Sequence, residues 1–223
     1  MRVVAIVPAY NEEQRLASTL QAIREIPKLD IIRVVNDGST DRTLEVAREC
    51  GIPGVEVVDL VTNVGKGEAI NIGVRGVMAD VFVFLDGDLG ETAREGARIL
   101  TPVLLGETDL CIAKFPPARK KGGFGMVKRL ASWGIAREGM VSEEPLSGQR
   151  AMTYQVLQDI LPFHSGFGIE IGMTIRALRR GYRVMEVPVQ MSHAETGRNL
   201  KGFLHRGRQF VDVARVILAE NRR

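Results

Sequence analysis

Two cysteines, Cys50 and Cys111, are the whole complement of a 223-residue chain. They are not spaced as metal ligands, and a disulfide framework is not expected, so the chain fits a reducing, cytoplasmic compartment. Long hydrophobic runs are missing as well. Stretches such as Val81-Phe82-Val83-Phe84-Leu85 fall far short of the ~20 apolar residues of a membrane-crossing helix, which leaves only peripheral membrane contact. Met1-Arg2-Val3-Val4 enters a strand pattern at once, so no signal peptide is expected. Net charge is only +3, too small for a dedicated nucleic-acid binder. No internal repeat or low-complexity tract is visible.

What is present is a chain long enough for one sizeable domain with its own core. We read a single domain over 1–223. Residues 1–115 would form a ligand-binding half, and 116–223 a half that shapes a second pocket and ends in a helix. The 24 glycines predict frequent tight turns. Charge is unevenly placed: from Lys114 to Arg137 there are seven Lys or Arg and no Asp or Glu, and the tail after Ala194 is also basic. Such a run attracts phosphates, anionic substrates or a membrane surface. It is equally what a solvated loop looks like.

Val3–Val7 is a short, mostly β-branched run ended by Pro8, and it predicts a buried strand. Asn11 is placed to cap a helix with Glu12 and Glu13 in its first turn and Leu16, Leu20 and Ile23 on its inner face. Ile31–Asn36, Val55–Leu60 and Val81–Asp86 predict further strands. Helices are expected from Thr40 or Asp41 to Cys50 and over Lys66–Met78. Strand–helix alternation with short connections implies an α/β architecture, a Rossmann-like, mostly parallel sheet flanked by helices on both faces. Ligands bind beyond the carboxyl ends of such strands. Four polar or glycine-rich segments fall there: Pro8–Glu13, Asn36–Asp41, Asn63–Gly67 and Asp86–Asp88. The second half predicts strands at Asp109–Lys114, Ser147–Thr153 and Arg183–Val189. It also predicts a basic loop over Phe115–Gly125 and helices at Met126–Ala136, Ile169–Arg180 and Phe203–Ala219.

Asp86-Gly87-Asp88 follows a hydrophobic strand. Two carboxylates in a tight turn suit Mg²⁺ or Mn²⁺, hard cations that take oxygen ligands and bridge to substrate phosphates. Such a metal neutralises charge on a departing diphosphate. Alone, an Asp-x-Asp is common in surface turns. Asn63-Val64-Gly65-Lys66-Gly67 precedes a helix, where backbone N–H groups and a lysine suit a diphosphate. It lacks the glycine spacing and Lys-Ser/Thr pair of a Walker loop, and it also reads as an ordinary turn. Asp37 could accept from a nucleobase N–H. Asp41, Asn11 and Glu12 could serve only as helix-start residues.

Together these segments resemble the family 2 glycosyltransferases of the GT-A fold. The matches are Val-Pro-Ala-Tyr-Asn-Glu-Glu at 7–13, Asn-Asp-Gly-Ser-Thr-Asp at 36–41, Asn-Val-Gly-Lys-Gly at 63–67 and Leu-Asp-Gly-Asp-Leu at 85–89. The resemblance implies a nucleotide-diphosphate sugar donor held by Pro8, Ala9, Tyr10, Asn11, Glu12, Asp37, Ser39, Gly65, Lys66, Asp86 and Gly87. Lys66 would lie near the diphosphate, and Asp86 and Asp88 would serve donor and metal.

The second half is similar to the glucosyl-3-phosphoglycerate synthase group. The matches are Gly122-Gly123, Glu144-Pro-Leu-Ser-Gly148, Pro162-Phe163 and Gly166-Phe-Gly-Ile-Glu-Ile171. A histidine after the last core strand completes the metal site in that group, and His193 matches by position. The resemblance places the acceptor on Gly122, Gly123, Lys128, Ser147, Gly148 and Gln149. Asp88, Glu170 and Glu144 are the candidate catalytic carboxylates, with Glu143 a further base candidate.

The glycine-rich acceptor loop departs from that group. Gly123-Phe124-Gly125-Met126-Val127 lacks the Arg and Thr that supply phosphoglycerate contacts, although Lys120, Lys121, Lys128 and Arg129 could hold another anion. The expected acceptor is therefore an anionic small molecule or a lipid phosphate. The C-terminal helix offers a surface for a homodimer. A nucleotidyltransferase shares the alternation and the acidic site, but Pro8-Ala9-Tyr10-Asn11-Glu12 lacks its glycine-rich signature. A non-catalytic nucleotide-binding module is the remaining alternative.

Overall fold

The computed structural model describes residues 1–116, 125–164, 166, 168–192 and 200–220, with the backbone alone over 200–209. Seven strands, β1 Val3–Ala9, β2 Ile31–Asp37, β3 Val55–Leu60, β4 Val81–Phe84, β5 Leu110–Lys114, β6 Arg150–Thr153 and β7 Val184–Pro188, form one sheet in the order β3-β2-β1-β4-β6-β5-β7. All neighbouring pairs are parallel except those of β6, which runs antiparallel to both β4 and β5. This is the mostly parallel sheet expected, with one reversal that the sequence did not announce.

Side chains alternate across the sheet, as period two requires. Val3, Ala5, Val7 and Ala9 of β1 face one core, built with helices α1 Leu16–Arg24, α2 Thr43–Arg48 and α4 Gly96–Leu104. Val4 and Ile6 face the other, built with α3 Lys66–Val74, α6 Tyr154–Ile160 and α7 Ile169–Arg179. A third cluster joins α5 Gly125–Ala136, α7 and α8 Leu200–Glu220. Helices thus cover both faces.

Several boundaries move from the sequence expectation. The first strand runs through Pro8 to Ala9, because the Pro8 carbonyl is used by the Gly87 N–H and the missing proline N–H leaves pairing to β2 intact. Asn11 does not cap a helix: its φ is +56°, and α1 begins only at Leu16. The second helix starts at Thr43 rather than Thr40 or Asp41, since the Asp41 carboxylate accepts from the Thr43 N–H ahead of it. The third ends at Val74, and β4 ends at Phe84, so Asp86 lies in the turn beyond. The strand expected from Ser147 begins at Arg150. A 3₁₀ turn at Gly90–Glu95, α4 and α6 were not anticipated.

Candidate active site

The first-half loops meet at the carboxyl edge of β1, β2, β3 and β4 because each strand there is parallel to its neighbour. They are tied to one another by backbone and side-chain hydrogen bonds. The Asn11 N–H donates to Ser39 Oγ at 3.0 Å, and Asn11 Oδ1 accepts from the Thr40 N–H at 2.8 Å. The Glu12 N–H donates to Thr43 Oγ1 at 2.7 Å. Both oxygens of Asp37 accept from backbone, from Val64 at 2.7 Å and Gly65 at 3.0 Å. Gly38 has a φ of +63°, and a Cβ there would lie 2.4 Å from the Thr62 carbonyl carbon, so only glycine lets these loops touch.

The Asp86-Gly87-Asp88 turn is held from three sides. From α1, the buried Thr19 hydroxyl donates to the Gly87 carbonyl at 2.9 Å and accepts from the Gly90 N–H at 2.8 Å. Arg15 Nη1 donates to the Asp88 carbonyl at 3.2 Å. From β1, the Pro8 carbonyl accepts from Gly87, whose Cβ would stand 3.2 Å from that of Ala9. From the second half, the fully buried Gln149 accepts from the Asp86 N–H at 2.9 Å and donates to Asp86 Oδ2 at 2.8 Å.

Lys66 is the first residue of α3. Its Nζ lies 2.7 Å from Asp86 Oδ1 and 3.6 Å from Glu170 Oε1. Burial alone would lower its pKa, but Asp86, Glu170 and Asp88 outweigh that and hold the ammonium above its ordinary value. Gly148 completes the seat, for a Cβ there would stand 2.4 Å from Lys66 Nζ. Glu12 is pushed up to about 7 by burial, then by the nearby Asp88, with Arg15 opposing.

These groups border a cavity of about 310 Å³. Pro8, Ala9, Tyr10 and Glu12 line it from the first loop, Asp37 from the second, Asn63, Gly65 and Lys66 from the third, and Asp86, Gly87 and Asp88 from the fourth. Its size is at the lower end of small-molecule clefts. Of the residues expected to hold the donor, Asn11 and Ser39 instead hold each other beside the lining. Asn63 lines the cavity although only its motif, and not the residue, was singled out. Among the described residues, no group of three or more His, Cys, Asp or Glu is arranged to hold a metal. His193, Gly122, Gly123, Lys120 and Lys121 lie outside the described residues.

The remaining acceptor and catalytic candidates divide. Gly148 and Glu170 reach Lys66. Gln149 is engaged with Asp86 rather than facing the cavity. Ser147 is buried, and its Oγ has no hydrogen-bond partner among the described residues. Glu144 is paired with Lys128 at 2.6 Å and Glu143 with Lys114 at 2.5 Å. Arg150, which sequence reasoning passed over, is fully buried behind them. Its Nε donates to the Ser147 carbonyl at 2.9 Å and its Nη1 to Thr174 Oγ1 at 2.8 Å. Burial pushes it down to about 10, with Glu170 and Glu186 opposing. A buried arginine in an apolar strand is a signal that could have marked this turn as a structural hub.

Acidic groups and a lysine thus line a cleft at the carboxyl edge of a sheet with the GT-A arrangement. A family model, Glycosyl transferase family 2, matches residues 4–167, and the chain belongs to that family. It is a glycosyltransferase, and the nucleotidyltransferase and non-catalytic readings are set aside. It is 31% identical over 234 residues to an undecaprenyl-phosphate mannosyltransferase of Micrococcus luteus, covering 98% of this chain and 95% of that one. It is similar to the crystal structure of glucosyl-3-phosphoglycerate synthase from Mycobacterium tuberculosis in complex with Mn²⁺, UDP-glucose and phosphoglyceric acid. There the TM-score is 0.81 at 26% identity, covering 98% of this chain and 79% of that one. The same synthase with Mg²⁺ and UDP matches with a TM-score of 0.81, 26% identity and the same coverage.

Proposed function

We propose that this chain moves a hexose from a UDP- or GDP-sugar to a phosphate-bearing acceptor, with Mg²⁺ or Mn²⁺ as cofactor. The observation that carries the reading is the seating of Lys66 between Asp86, Glu170 and Gly148 at one end of the cavity. The UDP-, metal- and phosphoglycerate-bound relatives support it, as does the mannosyltransferase acting on a lipid phosphate.

Asp86 and Asp88, two carboxylates of one tight turn on the cavity lining, offer the oxygen ligands that a divalent cation takes. Asp88 and Asp86, with His193 as a further ligand, would hold it, and it would supply charge neutralisation for the leaving diphosphate. Tyr10, Glu12 and Asp37 bound the nucleoside end of the cavity. Lys66, kept charged, faces the phosphates and stabilises the negative charge that develops as the sugar–phosphate bond breaks. The acceptor oxygen then forms the new bond to the sugar. A phosphate oxygen is already deprotonated and needs no base. For a hydroxyl acceptor, Glu170, whose Oε1 lies 3.6 Å from Lys66 Nζ, would take the proton.

The test is nucleoside-diphosphate release from UDP-glucose and GDP-mannose with Mn²⁺, in the presence of a polyprenyl phosphate or 3-phosphoglycerate. Release that needs both metal and one acceptor supports the reading. No release with any pair of donor and acceptor sinks it.

A further inference from the structure

The outward face of α5 combines two properties that surfaces rarely keep together. Val127, Ala131 and Ile135 of this helix turn inward to the cluster shared with α7 and α8. On the opposite side Met126, Arg129, Trp133 and Arg137 recur at spacings of three and four, which stacks them into one stripe. All are exposed, Met126 at 72% and Trp133 at 53%, and Val141 just beyond the helix is 88% exposed. The Arg137 guanidinium lies 5.2 Å over the Trp133 ring.

The local charge is uniformly positive. No acid occurs from Lys114 to Arg137. The acids that follow are already paired: Glu138 with Arg179 at 2.7 Å, Glu143 with Lys114, and Glu144 with Lys128. At a protein interface the two arginines of the stripe would have to be desolvated and matched by acids of the partner. At a bilayer surface they stay in the headgroup layer while tryptophan and methionine enter the acyl boundary. That division of labour matches the alternation along the stripe. Among the described residues no helix is long and apolar enough to cross a membrane, so this contact would be at the surface.

The helix also reaches towards the site. Lys128 binds Glu144, and Ser132 Oγ donates to the Ser142 carbonyl at 3.1 Å. The segment they hold runs on to Gly148 and Gln149, which touch Lys66 and Asp86. We propose that the Met126–Arg129–Trp133–Arg137 stripe docks on an anionic lipid surface and thereby seats the acceptor side of the cavity at the membrane. The delivery of an acceptor from the bilayer rests on the phosphate-bearing acceptor proposed above, whereas the docking itself does not.

Trp133 is the single tryptophan, so its fluorescence reports this face directly. The full chain is titrated with vesicles of mixed phosphatidylcholine and phosphatidylglycerol, and with phosphatidylcholine alone, then pelleted. The emission should shift to the blue and the chain should sediment with anionic vesicles only, the effect fading at high salt. Arg129→Glu with Arg137→Glu should lower partitioning by about tenfold or more, with thermal unfolding unchanged. An unmoved emission, or equal sedimentation of the double variant, would overturn the proposal. So would concentration-dependent dimerisation without lipid that Trp133→Ala abolishes, which assigns the face to a second copy. Nucleoside-diphosphate release in vesicle-free solution, measured alongside, should be unaltered in Arg137→Glu alone. Its absence with docking intact would fail the transferase reading alone.

Discussion

The side-chain amide of Gln149 grips Asp86 twice, accepting from its backbone N–H at 2.9 Å and donating to its carboxylate at 2.8 Å. The two residues are 63 positions apart, and the pair joins the two halves of the chain at the metal-candidate turn. With Lys66 on the other carboxylate oxygen, this contact aims Asp86.

Gln149→Leu removes both bonds and leaves the Asp86 N–H without its partner. A destabilisation of about 1–3 kcal/mol is expected for an orphaned buried donor, read by urea unfolding. Nucleoside-diphosphate release should fall as well. Gln149→Glu keeps the shape but sets a second carboxylate against Asp86, and should restore neither stability nor turnover. Equal stability of wild type and both variants would show that the grip is incidental.

Gly148→Ala places a methyl group where Lys66 Nζ now sits, 2.4 Å away. The lysine end is flexible, so the fold should tolerate the change with little loss of stability. The ammonium must leave its seat, however, and removing one positioned charge from a developing oxyanion costs on the order of 100-fold in kcat. Steady-state kinetics beside a melting curve separates the two effects. A variant with normal kcat would mean Lys66 does not act from this position.

Glu220 ends α8 between His164, at 2.6 Å, and Arg176 Nε, at 2.7 Å. Burial raises its pKa, but the bonds from His164 and Arg176 outweigh that and hold it below the ordinary 4.5. A carboxylate whose folded pKa is depressed contributes stability that is full above 4.5 and lost as pH falls through its folded value. Glu220→Gln should therefore flatten the acid limb of a stability–pH curve below about 4.5. Because the substitution leaves a buried arginine without its anion, it should also cost roughly 3–5 kcal/mol at neutral pH. An unchanged acid limb would remove Glu220 from the account.

Gly168→Ala tests how α8 docks. A Cβ at 168 would lie 2.3 Å from Val216 Cγ2 and 3.2 Å from the Asp212 carbonyl. The helix backbone cannot yield as a side-chain tip can, so a loss of about 1–3 kcal/mol is expected from overpacking. Gly134→Ala meets only the Ile217 side chain, at 2.8 Å from its Cδ1, and should cost less. Reversal of that order in chemical unfolding would contradict the packing described.

The sequence by itself determined where the first-half loops meet. Parallel strand–helix units carry their loops to one edge, so Pro8–Glu13, Asn36–Asp41, Asn63–Gly67 and Asp86–Asp88 had to converge once the alternation was recognised. The local pattern also marked Lys66 as a helix-start lysine. Tertiary structure alone decided what each polar group does there. Asn11 binds the neighbouring loop rather than capping a helix, Asp41 accepts both from Thr43 at the start of α2 and from Glu13 of the first loop, and Asp37 holds the Lys66 turn with both oxygens. It also decided the meeting of the halves. Because β6 runs against β4, with Arg150 opposite Phe84, the residues just before β6 arrive at the edge where β4 ends. That brings Gly148 and Gln149 onto Lys66 and Asp86. Strand direction is set by long-range pairing and burial, not by any signal within Ser147–Thr153, which is why the grip of Gln149 on Asp86 could not be read along the chain.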